Sequence, residues 1–217
     1  MAKPAWLDGR TEALQVAIYR KLKKSAVPMK EEVEVVTGPV MPTTDPTSFK
    51  DIPPEAARSL AVQVGDRHAE MMSLEAQGLL LTFCDRHADG EPLLVRALAL
   101  AQTIGARRFQ SIVLGGLAAC AFAAGRLHEA GARIERALAL ARETGMGFCG
   151  PLVLGIKARI TDDASEREQC RTEAEALLAQ GCASHNSILF YRHGIEDALV
   201  RGEWARGLEH AAALEAY

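Results

Sequence analysis

From about residue 54 onward, apolar positions recur along the chain in steps of three and four. The clearest stripe is Leu127, Ala130, Ile134, Ala137, Leu138 and Ala141. That spacing keeps one face of a helix buried, while Arg133, Glu135, Arg136, Arg142 and Glu143 fall mostly elsewhere. The segment Ile112 to Ala124 is apolar nearly all round, so it is expected to lie sandwiched between neighbours. Glycine and proline punctuate the pattern. It predicts helices over 55–64, 67–87, 91–103, 109–124, 127–143, 151–160, 165–179, 185–201 and 203–216. Gly125, Gly145, Gly181 and Gly202 fall just past helix ends, where glycine is the favoured cap. Pro92 and Pro151 fall in first turns, where proline is tolerated. Connections this short lay successive helices antiparallel, as hairpins.

The N-terminal quarter reads differently. Residues 1–27 carry a basic amphipathic helix or arm, with Leu7, Leu14, Ile18 and Leu22 near one face. Residues 28–54 hold six of the nine prolines and read as a Pro-rich linker or irregular wrap, with a short strand at Glu32–Thr37. Residues 55–217 then form the helical domain.

Within that domain Arg96-Ala-Leu-Ala-Leu-Ala101 recurs as Arg136-Ala-Leu-Ala-Leu-Ala141, 40 residues later. Gly105 and Gly145 follow the two copies at the same offset. Self-similarity at such a period marks a stack of helix pairs that bury a core between neighbours and leave long surfaces for partners. The stretch Leu117 to Leu138 resembles a tetratricopeptide repeat. Leu117 and Ala118 precede the turn glycine Gly125, and Leu127, Ala130, Ile134 and Ala137 follow. Gly202-Glu203-Trp204 repeats the turn signature, although Gly207 replaces the expected alanine. The resemblance implies an all-α fold, a right-handed superhelix of antiparallel hairpins (a TPR-like α-solenoid). The first hairpin keeps only the Ala97-Leu98 end of the pattern, and the third turns irregularly at Thr161–Ser165.

A narrower resemblance runs from about Ala137 to Tyr217, carried by the phrases at 137–151 and 179–192. These are similar to the repeat tails of large bacterial adenylate or guanylate cyclases and related multi-domain P-loop ATPase signalling proteins. The resemblance implies a regulatory scaffold, not cyclase activity. No G-x-x-x-x-G-K-[ST] phosphate loop occurs, and Gly115-Gly116 lies inside an apolar helix with no following lysine.

Composition narrows the classes further. Apolar residues reach 48%, enough for a core, while aromatics are only 5%, which suits close helix packing over a sheet. A net charge of −3 offers no general attraction for nucleic acid. The five cysteines are scattered and read as buried thiols in a reducing compartment. No secretory signal or membrane span is expected, so the protein reads as cytoplasmic. The basic residues Lys3, Arg10, Arg20, Lys21, Lys23, Lys24 and Lys30 read as a solvated arm, with binding as the lesser alternative.

Candidate chemistry is sparse. Cys182-x-x-His185 has metal-ligand spacing without a second pair, so neither a metal nor a cofactor is expected. Asp66-Arg67-His68-Ala69 and Asp85-Arg86-His87-Ala88 are near-identical, but a helix between them would hold them roughly 28 Å apart. Asp66 then caps a helix start and His87 sits at its end. Ser184-His185-Asn186 reads as the cap of the helix that follows.

In tetratricopeptide arrays the first helix of each pair lines the concave face. That register places Ile112, Gly115, Ala119, Phe122 and Ala123 there, and later Leu189, Arg192, Glu196, Leu199 and Val200. Carboxylate-gripping members of the family carry lysines and asparagines at these positions, and the central repeat here has none. An apolar groove for a partner helix follows, with Phe122, Leu189, Arg192, Glu196 and Tyr191 as the partner-binding candidates. The expected function is a non-catalytic scaffold for protein–protein or interdomain contacts. The alternatives are a small-molecule or peptide sensor on the same superhelix, or a truncated remnant of a cyclase-type protein. An uncapped final helix would expose apolar surface and invite a homodimer.

Overall fold

The structure is a computed structural model, and it describes residues 65–182 and 184–216 together with Val62. All of these belong to the second of two units, Ser48–Tyr217. The N-terminal helix, the Pro-rich segment, the strand at 32–37 and nearly all of the helix at 55–64 fall outside the described residues.

Among the described residues the fold is all-α. Eight helices follow one another: α1 Arg67–Phe83, α2 His87–Thr103, α3 Arg107–Ala123, α4 Leu127–Thr144, α5 Gly150–Ile160, α6 Ala164–Gln180, α7 Ser184–Arg201 and α8 Trp204–Ala216. Each odd-numbered helix packs on the even one that follows it. The odd helices also pack on one another in order, α1 on α3, α3 on α5 and α5 on α7. None of the helices is long and apolar enough to cross a membrane.

The turns explain this regularity. Connections 84–86, 104–106 and 124–126 have three residues each, and they share one hydrogen-bond pattern with the turn at 202–203. In each, the residue past the cap takes a left-handed conformation: Asp85 (φ 58°), Gly105 (70°), Gly125 (73°) and Gly202 (75°). The next amide then reaches back to a carbonyl in the last turn, Arg86 to Leu81 at 2.8 Å and Arg126 to Ala121 at 2.9 Å. This Schellman arrangement satisfies carbonyls that the helix end leaves open. Asp85 does the work of a glycine, so the predicted helix over 67–87 stops at Phe83 and α2 starts at His87, not at residue 91. Pro92 consequently sits in the second turn of α2, and His87 opens a helix instead of closing one. Asp66 caps α1 as expected, accepting from the amides of His68 (3.0 Å) and Ala69 (2.9 Å).

The core follows the apolar pattern. Helix α3 is buried from Gln110 to Ala118 without a break, as its all-round apolar character predicts. Helix α4 buries Ala130, Ile134, Ala137, Leu138 and Ala141, but Leu127 at the head of the stripe is 57% exposed. It occupies the first position of α4, before the neighbouring helices can cover it. Helices α1 and α2 approach so closely that a Cβ on Gly78 would lie 2.6 Å from Leu94 Cγ, and one on Gly90 would lie 2.7 Å from the Gly78 carbonyl. Leu94 fills the space between them and is fully buried.

One buried side chain ties the longer turn at 145–149 to the rest. Asn186 lies inside α7, not ahead of it, and is fully buried. Its Nδ2 donates to the carbonyls of Phe148 (2.9 Å) and Gly147 (3.4 Å), and its Oδ1 accepts from the Leu152 amide (3.3 Å). Cys149 makes no side-chain cap for α5. Asn186 therefore caps α5 from another helix.

Candidate functional site

The C-terminal ends of α1, α3 and α5 meet the middle of α7 around a cavity of about 110 Å3. Phe83, Phe122, Arg159, Arg192, His193 and Glu196 form its chemically distinctive wall. Ile156, Ile160, Ala119 and Ala123 supply the apolar remainder, and Thr82, Asp85 and His87 line the side nearest the α1–α2 turn.

Helical spacing assembles the charged part. Arg192 and Glu196 stand four apart on α7, and Arg192 Nε donates to Glu196 Oε1 at 2.8 Å. From α5, Arg159 donates to Glu196 Oε2 at 2.6 Å and to His193 Nδ1 at 3.0 Å. Both carboxylate oxygens are thus occupied. Each guanidinium also lies over an aromatic ring: Arg192 is 5.1 Å from the centroid of Phe83, and Arg159 is 5.9 Å from that of Phe122. Such contacts favour a planar cation that is poorly hydrated.

The protonation states follow from the same contacts. His193 is only 5% exposed, and burial, reinforced by the neighbouring cations, holds its imidazole below the ordinary value and neutral. Its Nδ1 accepts from Arg159, which places the ring proton on Nε2. That Nε2 is buried without a hydrogen-bond partner among the described residues. Burial opposes ionisation of Glu196, but interactions with His193 and the two guanidiniums outweigh it and hold the carboxyl well below the usual range. Because His193 is neutral, with Nδ1 3.8 Å from Oε2 and already accepting from Arg159, the guanidiniums carry that effect.

The cavity wall thus holds two guanidiniums and two carboxylates, Glu196 and Asp85, and several of its donors stay uncommitted. Among the described residues Arg192 commits only Nε to a protein acceptor, Arg159 commits only one terminal nitrogen, and His193 Nε2–H is unmatched. The arrangement suits a group rich in acceptors. Three helix C-termini nearby oppose a negative charge by about 0.3–1 kcal/mol each. Charge-assisted hydrogen bonds contribute about 1.5–3 kcal/mol each, so the guanidinium donors dominate.

Three of the five candidate residues, Phe122, Arg192 and Glu196, come together here. Leu189 does not: it is buried in the core beside Phe190. Tyr191 also lies apart, half-buried with its ring 5.4 Å from Phe190 and 5.9 Å from His210. Of the wider groove register, Ala119 and Ala123 line the cavity and Ile112 is core. Leu199 and Val200 face outward, Val200 being 84% exposed. Six residues of the cavity wall were not foreseen: Thr82, Phe83, Ile156, Arg159, Ile160 and His193. Phe83 stands 40 residues before Ala123, so extending the repeat register one hairpin back would have found it. Arg159 stands 40 residues after Ala119, so the same register carried one hairpin forward reaches it.

Elsewhere, Cys182 donates its thiol to the Leu177 carbonyl at 3.2 Å, and the His185 ring stacks edge-on against Phe148 at 5.8 Å. No family model matches the chain, and no curated protein or solved structure does either.

Proposed function

We propose that the chain is a non-catalytic interaction scaffold, a TPR-like right-handed superhelix whose odd-numbered helices hold a segment of a partner protein or a neighbouring domain. One observation carries this reading. Four successive odd helices pack on one another in order, and Phe83, Phe122, Arg159 and Arg192, one from each, converge on a single cavity-bearing face. Stacked hairpins commonly present such a face to partners. The chemistry of the cavity favours recognition over catalysis. Glu196 is held ionised by two guanidiniums and His193 is held neutral, so neither is poised to shuttle protons near neutral pH. The likeness of the phrases at 137–151 and 179–192 to cyclase and P-loop ATPase tails supports a module of a bacterial signalling system.

Site-specific photo-crosslinking tests the reading. A photoreactive residue at Ala119 or Phe122 should give defined protein adducts in cells, while one at Arg136, on the outward face of α4, should not. Equal labelling at the three positions, or none at the first two, would remove the support for this face. The second reading, a sensor, is favoured by the small cavity volume and the uncommitted guanidinium donors.

A further inference from the structure

We propose that the cavity among α1, α3, α5 and α7 is a binding site for a small oxyanion, a phosphoryl or carboxylate group, gripped by Arg159 and Arg192. The inference goes beyond the scaffold reading, since a scaffold can stand without it.

Three observations point to it. Arg159 and Arg192 are each fixed by one bond to Glu196 and by an aromatic face, so their remaining N–H groups are pre-oriented instead of mobile. Glu196 takes one bond from each guanidinium, which leaves two nitrogens of Arg159 and two of Arg192 without a protein acceptor among the described residues. His193 lines the same cavity, and its Nδ1 accepts from Arg159 at 3.0 Å, which fixes that guanidinium further. Guanidinium forks match phosphoryl and carboxylate oxygens best among common acceptors. The volume of about 110 Å3 admits a head group and not a folded segment. Phe83 and Phe122 would flank whatever carries it.

The test uses the full 217-residue chain with inorganic phosphate and with acetate, each against sodium chloride at matched ionic strength. The expected result is a saturable rise in Tm with one or both oxyanions, half-complete on the order of 1 mM. Which probe acts tells a phosphoryl source from a carboxylate source. Arg159→Gln and Arg192→Gln should each weaken the effect roughly tenfold or more, about the loss of one charge-assisted bond. Arg96→Gln, an exposed control, should not. A second measurement needs no substitution. In the unaltered chain, the effective anion should shift the His193 Nε2–H resonance and leave that of His210, also buried and unmatched, in place. No saturable rise above chloride, full retention in both arginine variants, or an unmoved His193 resonance would each overturn the proposal. Such a result would leave the crosslinking at Phe122 untouched, so the two readings fail separately.

Discussion

Arg171 on α6 and Asp197 on α7 meet at 2.8 Å, with both side chains only 6% exposed. Helices α6 and α7 otherwise touch sparingly, and the pair joins them. Arg201 completes Asp197 with a second bond of 2.8 Å, and Glu203 lies 3.3 Å from Arg171. Removing one partner of a buried pair strands the other charge, which costs about 3–5 kcal/mol. Asp197→Ala should therefore lower stability by about 3 kcal/mol in urea unfolding. An Arg171→Met, Asp197→Leu double variant should lose less, because Arg171 is no longer stranded, while Arg201 and the buried Arg167, 4.0 Å from Asp197, still lose their partner. A double variant as weak as the single one would place the cost on Arg167 and Arg201 instead of on Arg171.

Asn186 offers a sharper local test. Its side chain caps α5 through the Leu152 amide and holds two carbonyls of the preceding turn. Asn186→Ala orphans all three groups, for an expected loss of about 2 kcal/mol. Amide hydrogen exchange should accelerate at Leu152 and Val153 before it does so in α3. Uniform acceleration across the domain would instead indicate a general packing role.

Two glycines separate backbone strain from crowding. Gly125 has φ 73°, and a Cβ added there would meet nothing within 4 Å, so Gly125→Ala should cost about 1 kcal/mol through conformation alone. Gly78 has ordinary helical geometry, but its Cβ would meet Leu94 at 2.6 Å. Gly78→Ala should cost about 1–3 kcal/mol through overpacking. Adding Leu94→Ala should make the second change cheaper and leave the first unaltered. Thermal unfolding of the single and combined variants decides it.

Glu75 makes stability depend on pH. Burial raises its carboxyl from 4.5 to about 7. The folded state therefore holds a proton that the unfolded chain releases between those values. Its favourable contribution is whole below pH 4.5 and is lost as pH rises through 7, roughly 3 kcal/mol at most. Glu75→Gln should raise Tm at pH 8 and change it little at pH 4. Equal shifts at both values would show that the carboxyl does not titrate in this window.

Much of the helical domain was legible in the sequence, for local reasons. A stripe such as Ala130-Ile134-Ala137-Leu138-Ala141 is a property of one segment, and it forces a helix with that face inward wherever the segment is placed. Glycine at 105, 125 and 202 ends helices because left-handed backbone costs glycine little. The Asp85 turn was missed because an aspartate adopts the same conformation only when surrounding contacts impose it. The candidate site was half legible. Phe122, Arg192 and Glu196 could be placed on a helix face by register, since register too is local.

What the sequence determined by itself is the set of helices, their buried stripes and most of their stops, each settled by bonds and spacings within about one turn. What only the tertiary structure decided is which distant side chains share a space. Arg159 meets Glu196 across 37 positions, and Asn186 caps a helix that begins 36 residues earlier. Such pairings depend on how helices lean on one another, and that is a sum over many small contacts that no short window of residues contains.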